Sequence, residues 1–521
     1  MIERGRYSRH LPSSQFVLLN LALGVGHFLV LLNAGAYLPM LPYISGSAGE
    51  AIAYVEWGQI DYFTAMGAAM LIARPIMQRF GPKNAAIFAY LLFSASSFAA
   101  LPAVPFFSLY TSIRVVQGFA AGISIIPSFF LLLEYYTESG QKTAISLWSL
   151  ALFVPYTIGP ALGGWFAYVM GDWRLLFKAS SIIALSIAAI IWALLADWED
   201  KTEKDNRSFF SSLFLFALFF SASMALLSFF DVGILTALTG REAALWRLFM
   251  VFLFAAWLFW LKNGESRNPV IRFSLFNHAN YGLSMLILCL AFMGFQGSIV
   301  QYLLRIQLIE GYTAWHAGLI FLPLFVFSKP LNIVAQKLIH GGTDPRLLAS
   351  IALSGFAVSY WWISGYIRPA TWESLLWPQF LMGAAMGLFF VSMTALALSH
   401  VPKKEQIHAV DMLNAFRTLS AALAITISDI AWDRILDHEK NLLVSPDASN
   451  SQRYASLFDD PSALHLMHEK FVLEASLLTL NDFFHLLALI FVALAASVWL
   501  LRPDARKDPD MVILENLGEE P

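Results

Sequence analysis

Charge and cysteine are scarce in this sequence, and each scarcity excludes a class of protein. Of the 521 residues, 33 are Lys or Arg and 36 are Asp or Glu, so charged residues make up 13% of the chain. That is about half the share found in soluble domains, which argues against a soluble enzyme. The net charge is −3 and no basic run is interleaved with aromatics, so we expect no nucleic-acid partner. The single cysteine, Cys289, excludes an internal disulfide and a CxxC metal site, and we predict no metal and no cofactor.

Apolar residues, in contrast, make up 58% of the chain. A bilayer core about 30 Å thick needs about 20 apolar residues per helix. Fourteen such windows can be drawn, so the sequence predicts an all-α polytopic membrane protein with 14 transmembrane helices. The windows are residues 16–43, 52–73, 84–102, 106–134, 143–169, 173–196, 209–230, 244–261, 281–309, 315–337, 347–366, 375–399, 408–432 and 477–500.

The distribution of Lys and Arg predicts the orientation, because basic residues close to a span are retained in the cytoplasm. With both termini in the cytoplasm, the cytoplasmic segments hold 20 basic residues and the external segments hold 8. This asymmetry favours an even number of spans and cytoplasmic termini.

Six stretches, in chain order, carry motifs that resemble one known family. The fourth window reads RVVQG, the fifth reads GPALGGW, and RFGPK follows the second window; further matches lie around spans nine, thirteen and fourteen. The motif residues are Arg114 and Gln117; Gly159, Pro160, Gly163 and Gly164; Arg79, Gly81 and Lys83; Gln307; and Arg417. Together they resemble the 14-span drug:proton antiporters of the major facilitator superfamily, the EmrB/QacA type.

The resemblance implies a major facilitator fold with two six-helix halves and two inserted helices. The predicted units are 1–196, 197–276 with the cytoplasmic linker and the inserted pair, 277–500 with an external loop at 434–476, and a tail at 501–521. It also implies a secondary active transporter that couples export of hydrophobic or amphiphilic compounds, as in multidrug efflux, to protons by alternating access. The implied location is a bacterial inner membrane. The expected partners are a small-molecule substrate, membrane lipid, and a periplasmic adaptor with an outer-membrane channel.

Asp61 and Arg114 are the predicted proton-coupling pair. Each lies about 12 to 14 Å inside the outer end of its window at 1.5 Å per residue, where a carboxylate needs a partner. The family's first-span acid is absent, because the corresponding stretch reads Leu32-Asn33-Ala34-Gly35, and its loop glycine and aspartate are replaced by Arg74 and Gln78. We therefore hypothesise that the titrating group has moved to Asp61. The structural alternative is a static ion pair that orders two helices.

Other polar residues inside the windows are candidates for the substrate cavity, although each is as plausible as a packing residue. They are Asn33, Trp57, Gln117, Gln296, Gln301 and Lys329. Lys329 is interpreted either as a counter-charge for an acidic group or as a member of a packing pair. We assign gating or structural roles to Gln307 and Arg417. Asp411 lies six residues before Arg417 and is not its neighbour on a helix, so the partner of Arg417 must lie on another span. Near the outer ends, Arg305 and Lys178 are expected to snorkel.

Competing functions have weaker support. A primary pump is disfavoured because no G-x-x-x-x-G-K-[ST] loop occurs. A polytopic membrane enzyme would need catalytic residues near a membrane face; His408 and Asp411 share a helical face, but no HExxH pattern accompanies them, so we predict that the protein is not an enzyme. The second transport hypothesis is export of a specific anionic metabolite such as a siderophore or fatty acid, motivated by Lys329 and the missing first-span acid.

Overall fold

The structure is a computed structural model of the chain. It describes residues 11–136, 144, 148, 151–196, 206–239, 242–265, 269–366, 370–444 and 461–502. Most of the charged linker, the middle of the predicted external loop and nearly all of the tail lie outside the described residues.

The described residues form helices joined by short connections. The α-helices are α1 (Ser13–Ala36), α2 (Leu41–Ala48), α3 (Ile52–Phe80), α4 (Pro82–Ala103), α5 (Phe107–Glu134), α6 (Ile158–Gly164), α7 (Arg174–Leu194), α8 (Asn206–Thr239), α9 (Glu242–Glu265), α10 (Tyr281–Leu308), α11 (Ala314–Leu319), α12 (Pro323–His340), α13 (Pro345–Ser364), α14 (Trp372–Leu398), α15 (Lys403–Val444) and α16 (Pro461–Ser497). Short 3-10 helices are Leu38–Met40, Ala151–Tyr156, Phe273–Asn277 and Val498–Leu500, and Trp165–Val169 is a π-helical turn.

Twelve helical stretches in the described part of the chain are long and apolar enough to cross a membrane. The predicted second and fifth windows are not among them. The second window lies in α3, whose 29 residues span about 44 Å but whose apolar character is reduced by Glu56, Asp61, Arg74 and Arg79. The chain is therefore a multi-pass all-α membrane protein, and a total of 14 spans is consistent with these helices.

Several predicted spans are interrupted where proline or glycine breaks the hydrogen-bond ladder. The first window begins with α1, passes through a 3-10 turn containing Pro39, and ends in α2. The tenth window is divided between α11 and α12, which begins at Pro323. Because proline has no backbone N–H, it is tolerated at the first turn of a new helix and disfavoured within one.

Small residues allow equivalent helices in the two parts of the chain to pack closely. A Cβ added to Gly118 or Gly122 of α5 would lie 2.2 or 2.3 Å from a backbone oxygen of α3. A Cβ added to Gly383 or Gly387 of α14 would lie 2.4 or 2.3 Å from a backbone oxygen of α12. Thus α5 packs against α3, and α14 packs against α12, through two small residues spaced four apart. The repetition of this contact supports two structurally similar halves, although their predicted boundaries stay a prediction.

The outer surface of the bundle is apolar, as a lipid-facing surface must be. Trp192, Phe98 and Leu489 are examples of large side chains that point outward. The helices α8 and α9 pack on each other, and α8 also contacts α3 and α15. This arrangement places the predicted inserted pair beside the bundle, against one helix from each half.

Candidate functional site: the interior between the two halves

The two halves meet along two seams. In the first, α3 packs against α15: Gly67 faces the backbone oxygen of Ala415 and the side chain of Leu419. Farther along α3, Arg74 Nη2 lies 2.6 Å from Asp411 Oδ2, and Arg74 Nε lies 2.9 Å from the same oxygen. Arg74 therefore bridges the halves through an ion pair that the sequence did not predict.

The second seam joins α6 to α11 and contains the glycine-rich motif. A Cβ on Gly164 would lie 2.1 Å from the backbone oxygen of Ala314, and one on Gly318 would lie 2.3 Å from that of Pro160. Gly163 contacts Ala36 at the end of α1 in the same way, at 2.0 Å. Gly159 approaches α1 as well, since its added Cβ would be 3.0 Å from the Cα of Gly35. The motif residues are thus the points where α1, α6 and α11 touch.

Arg114 lies in the interior of the N-terminal half and is fully buried. Its Nε donates to the backbone oxygen of Gly58 at 3.0 Å, Nη2 donates to Gln59 Oε1 at 3.1 Å, and Nη1 donates to Gln117 Oε1 at 2.5 Å. All these acceptors are neutral, so the hydrogen bonds of the guanidinium are made to dipoles and not to a carboxylate.

Aromatic rings complete the surroundings of Arg114. Its guanidinium carbon lies 4.6 Å from the centroid of the Tyr37 ring and 4.4 Å from that of Tyr62. Tyr62 donates to the backbone oxygen of Val30 at 2.7 Å, which fixes its ring between α3 and α1. These contacts hold the guanidinium in one position.

Asp61 lies one turn after Gly58 on α3 and is 5% exposed. It interacts electrostatically with Arg114, but within the described part of the chain it forms no hydrogen bond or ion pair. The two described side chains therefore make no direct contact, and the structural alternative of a static ion pair stays a prediction as well. The role of the pair in proton coupling stays a prediction.

Three of the predicted cavity residues make contacts between helices. Asn33 Nδ2 donates to Ser180 Oγ on α7 at 2.8 Å and to the backbone oxygen of Leu29 at 3.1 Å. Gln117 Nε2 donates to Ser97 Oγ on α4 at 2.7 Å. Gln301 Nε2 donates to Asp429 Oδ1 on α15 at 2.8 Å.

The other three predicted cavity residues differ in burial. Gln296 is buried on α10, and its Oε1 has no hydrogen-bond partner among the described residues. Trp57 and Lys329 are half-buried. Substrate binding by all six residues stays a prediction.

The loop motif after α3 anchors the N-terminal half at one end. Gly81 has φ 81°, a conformation that favours glycine, and its N–H donates to the backbone oxygen of Met77 at 2.8 Å to end α3. Lys83 Nζ donates to the backbone oxygen of Leu195 at 2.6 Å, which ties the start of α4 to the end of α7. Arg79 lies over the Phe80 ring at 5.7 Å.

Two basic residues near the predicted outer ends behave differently from each other. Lys178 is exposed and lies 2.9 Å from Asp172 Oδ2, as expected for a residue at the interface. Burial opposes the ionisation of Asp172, but the hydrogen bonds from Lys178 and the Arg174 backbone, together with the charges of both residues, hold the pKa of Asp172 below its ordinary value. Arg305 does not snorkel: its Nε lies 3.0 Å from Glu310 Oε1, and the two side chains are 0% and 1% exposed. The expectation for Arg305 was wrong because Glu310 lies five residues later, where the chain leaves the helix and can fold back onto it.

Gln307 and Arg417 were assigned gating or structural roles. Gln307 Nε2 is 3.4 Å from the backbone oxygen of Leu303 within α10. Arg417 lies on α15 with its guanidinium carbon 5.5 Å from the Phe292 centroid and 5.2 Å from the Phe390 centroid. These contacts are with residues on other spans. Asp411 does not pair with Arg417, because it forms its ion pair with Arg74.

Sequence analysis did not single out His27 or Tyr156, which lie beside Arg417 in this interior. The His27 ring of α1 stacks on Trp148 with centroids 3.9 Å apart and planes at 8°. Tyr156 packs edge-on against Phe292 at 5.6 Å and Phe295 at 5.3 Å. Both His27 and Tyr156 interact electrostatically with Arg417. A lone histidine or tyrosine in an apolar window is usually a packing residue, and only the folded bundle places these beside Arg417.

A sequence model of the Major Facilitator Superfamily matches residues 23–425 of the chain. The chain is 26% identical over 514 residues to multidrug export protein EmrB of Escherichia coli K12, covering 95% of this chain and 96% of the relative. It is 25% identical over 502 residues to fatty acid resistance protein FarB of Neisseria gonorrhoeae, covering 93% and 95%.

Solved structures agree on the fold. A bacterial homologue of the human lysosomal transporter Spinster, in an inward-facing and occupied conformation, superimposes with a TM-score of 0.63 at 13% identity, covering 94% of this chain and 97% of that one. A D-xylose–proton symporter gives a TM-score of 0.56 at 12% identity, covering 95% and 99%.

Proposed function

Because the chain belongs to the Major Facilitator Superfamily, we propose that it is a proton-coupled exporter of hydrophobic or amphiphilic compounds. Family membership and fold make it a membrane transporter and not an enzyme. The multidrug export proteins that it resembles over nearly its whole length support the direction of transport and the class of compound.

The observation that carries proton coupling is the environment of Asp61. Its carboxylate is buried in α3 without a hydrogen bond or ion pair among the described residues, while the neighbouring Arg114 is already satisfied by neutral acceptors. A buried carboxylate in this state is free to take up a proton and to lose it when the interior changes its access from one side of the membrane to the other. Movement of the halves about their two seams would supply that change of access.

The test is uptake of labelled amphiphiles into everted vesicles, with and without an acidic interior. We expect gradient-driven uptake by the wild type and its loss in Asp61→Asn. Glu56→Gln is the matched control, because it removes a carboxylate charge from the same helix five residues earlier. Gradient-driven uptake that persists in Asp61→Asn would remove Asp61 from the mechanism, and uptake by the wild type that ignores the gradient would reject proton coupling.

The second candidate function is export of an anionic metabolite such as a siderophore or fatty acid. The similarity to a protein named for fatty acid resistance favours it, as do two basic residues within the predicted spans, Arg417 and Lys329. The same vesicle assay decides between the candidates when amphiphilic cations and carboxylates are compared.

The proposed location is the inner membrane of a bacterium with both termini in the cytoplasm, and the proposed partners are a periplasmic adaptor and an outer-membrane channel. Support comes from α15, which continues to Val444, about 18 Å beyond the predicted span that ends at residue 432, on the predicted external side. Replacing residues 445–460 with a Gly/Ser linker should leave uptake into vesicles unchanged. The same replacement should abolish the resistance of intact cells to toxic amphiphiles. Undiminished resistance would argue against such partners.

A further inference from the structure

Arg417 differs from the buried residues Arg114 and Arg305 in its lack of polar partners. It lies on α15 between Ala415 and Leu419, which contact Gly67 where the halves meet, and two phenyl rings lie on its guanidinium. With the residues that the structure describes it forms no hydrogen bond and no ion pair. The ionisable groups around it are His27, Tyr156 and Cys289, none of which is a carboxylate. The segment before Tyr156, residues 145–153, contains no acidic residue in its sequence either.

An unneutralised arginine inside a membrane-spanning segment is energetically costly, so such residues are rare and usually have a function. Arg417 keeps exposed surface although helices from both halves surround it. It therefore faces space inside the bundle. Aromatic contacts occupy the faces of a guanidinium and leave the N–H groups at its edge free to donate.

Two further polar groups near Arg417 have unused hydrogen-bonding capacity. His27 is 2% exposed, and neither ring nitrogen has a hydrogen-bond partner among the described residues. The Tyr156 hydroxyl also makes no hydrogen bond within the described part of the chain. Buried polar groups are normally satisfied, so these three groups from α1, the 3-10 helix before α6, and α15 have hydrogen-bonding capacity that a ligand could use.

The surface next to the guanidinium is apolar. A cavity of about 10 Å³ is lined by five phenylalanines, Ala291 and Met386, and two of those rings, Phe292 and Phe390, are the ones that contact Arg417. A cavity this small and apolar stays dry. Methionine and phenyl side chains can turn to enlarge it when an apolar chain enters.

We propose that Arg417 binds the carboxylate of an anionic amphiphile, with Tyr156 and His27 as additional polar contacts and with the apolar tail among the phenylalanines. A carboxylate matches the fork of N–H donors at the guanidinium edge. This assignment rests on the proposed export function and names the substrate class that the interior accepts.

The test uses the purified full-length protein and three probes with the same tail: dodecanoate, dodecanol and dodecyltrimethylammonium. Binding is measured by scintillation proximity, and transport is measured in everted vesicles with an acidic interior. In the wild type we expect dodecanoate to bind more tightly than dodecanol. Arg417→Gln should weaken dodecanoate binding by about tenfold or more and leave dodecanol binding unchanged. Lys178→Gln, which removes an exposed charge on the surface of α7, is the control and should change neither.

Two additional variants keep the test decisive if Arg417→Gln does not fold. Arg417→Lys keeps the charge without the fork and should reduce the preference for carboxylate over alcohol. Tyr156→Phe keeps the ring and should weaken dodecanoate binding a few-fold while leaving dodecanol binding unchanged. Equal dodecanoate affinity in the wild type and the folded Arg417 variants would overturn the assignment, as would a wild type that binds only the cation. If the wild type binds dodecanoate through Arg417 but moves none of the probes, the export function fails and the binding site stands.

Discussion

The seam between α6 and α11 makes a quantitative prediction for Gly318→Ala. The added Cβ would lie 2.3 Å from the backbone oxygen of Pro160 and 2.7 Å from the Cα of Ala161. Ordinary contact begins at 3.4 Å, so the missing separation is 3.4 minus 2.3, or 1.1 Å. Backbone atoms cannot rotate away as a side chain can. The two helices must therefore separate by about 1 Å along the line of contact.

Inserting one methyl group into a packed contact costs about 1 to 3 kcal/mol. The cost applies only to the state in which the seam is closed, so Gly318→Ala should shift the equilibrium between states by about 5- to 150-fold. Because alternating access requires both states, we expect the initial rate of uptake into everted vesicles to fall by up to that factor. The thermal midpoint of the purified protein should fall as well.

Gly24→Ala is the matched control, because a Cβ at Gly24 meets nothing within 4 Å. It makes the same chemical change on an open face of α1 and should leave both readouts at the wild-type value. A Gly318→Ala variant that transports at the wild-type rate with an unchanged midpoint would refute the close contact at this seam.

Three other variants test the charged contacts. Glu310→Gln should lower stability by about 3 to 5 kcal/mol, measured by thermal unfolding in detergent, because it leaves Arg305 buried without its ion-pair partner; an unchanged midpoint would contradict that burial. Arg74→Asp and Asp411→Arg should each reduce uptake, and the double variant should restore much of it, because the swapped pair can again bridge the halves; a double variant no better than either single one would argue against a direct contact. Arg114→Lys should fold but lose most transport, because an ammonium cannot make the three spread hydrogen bonds of the guanidinium; full transport would show that charge alone suffices there.

Span positions could be predicted well where apolar residues fill a window bounded by charge or turn residues. The predicted windows 84–102, 106–134 and 281–309 lie within two residues of Pro82–Ala103, Phe107–Glu134 and Tyr281–Leu308. Hydropathy works in these cases because the bilayer sets the length of a helix independently of its neighbours.

Breaks within spans could not be predicted in the same way. The window 143–169 contains a 3-10 helix, α6 and a π-helical turn in its described part. Hydropathy records whether a segment prefers lipid, but the backbone path there is set by contacts of Gly163 and Gly164 with Ala36 and Ala314. Such contacts are long-range and leave no mark on local composition.

The candidate site shows the same limit for side chains. The positions of Asp61 and Arg114 within their predicted windows identified them as charges inside the bundle, and both side chains are buried. These positions could not show that Arg114 would donate to neutral oxygens. Direct pairing depends on rotamers and on the rotation of each helix about its axis. A rotation of one residue, about 100°, moves a side chain from one neighbour to another without changing its depth.

Comparison of three arginines inside the bundle separates those with internal polar partners from the one that is available to a ligand. Arg114 donates to neutral oxygens and contacts tyrosine rings, and Arg305 forms an ion pair with Glu310 through Nε, while its Nη1 and Nη2 have no hydrogen-bond partner among the described residues. Arg417 has only the phenyl rings, which leave its donors unused. Since hydropathy assigns all three the same cost, their partners and not their depth decide which can exchange one anion for another. In a transporter that must bind and release its cargo, the charge without an internal partner is the one that can do so.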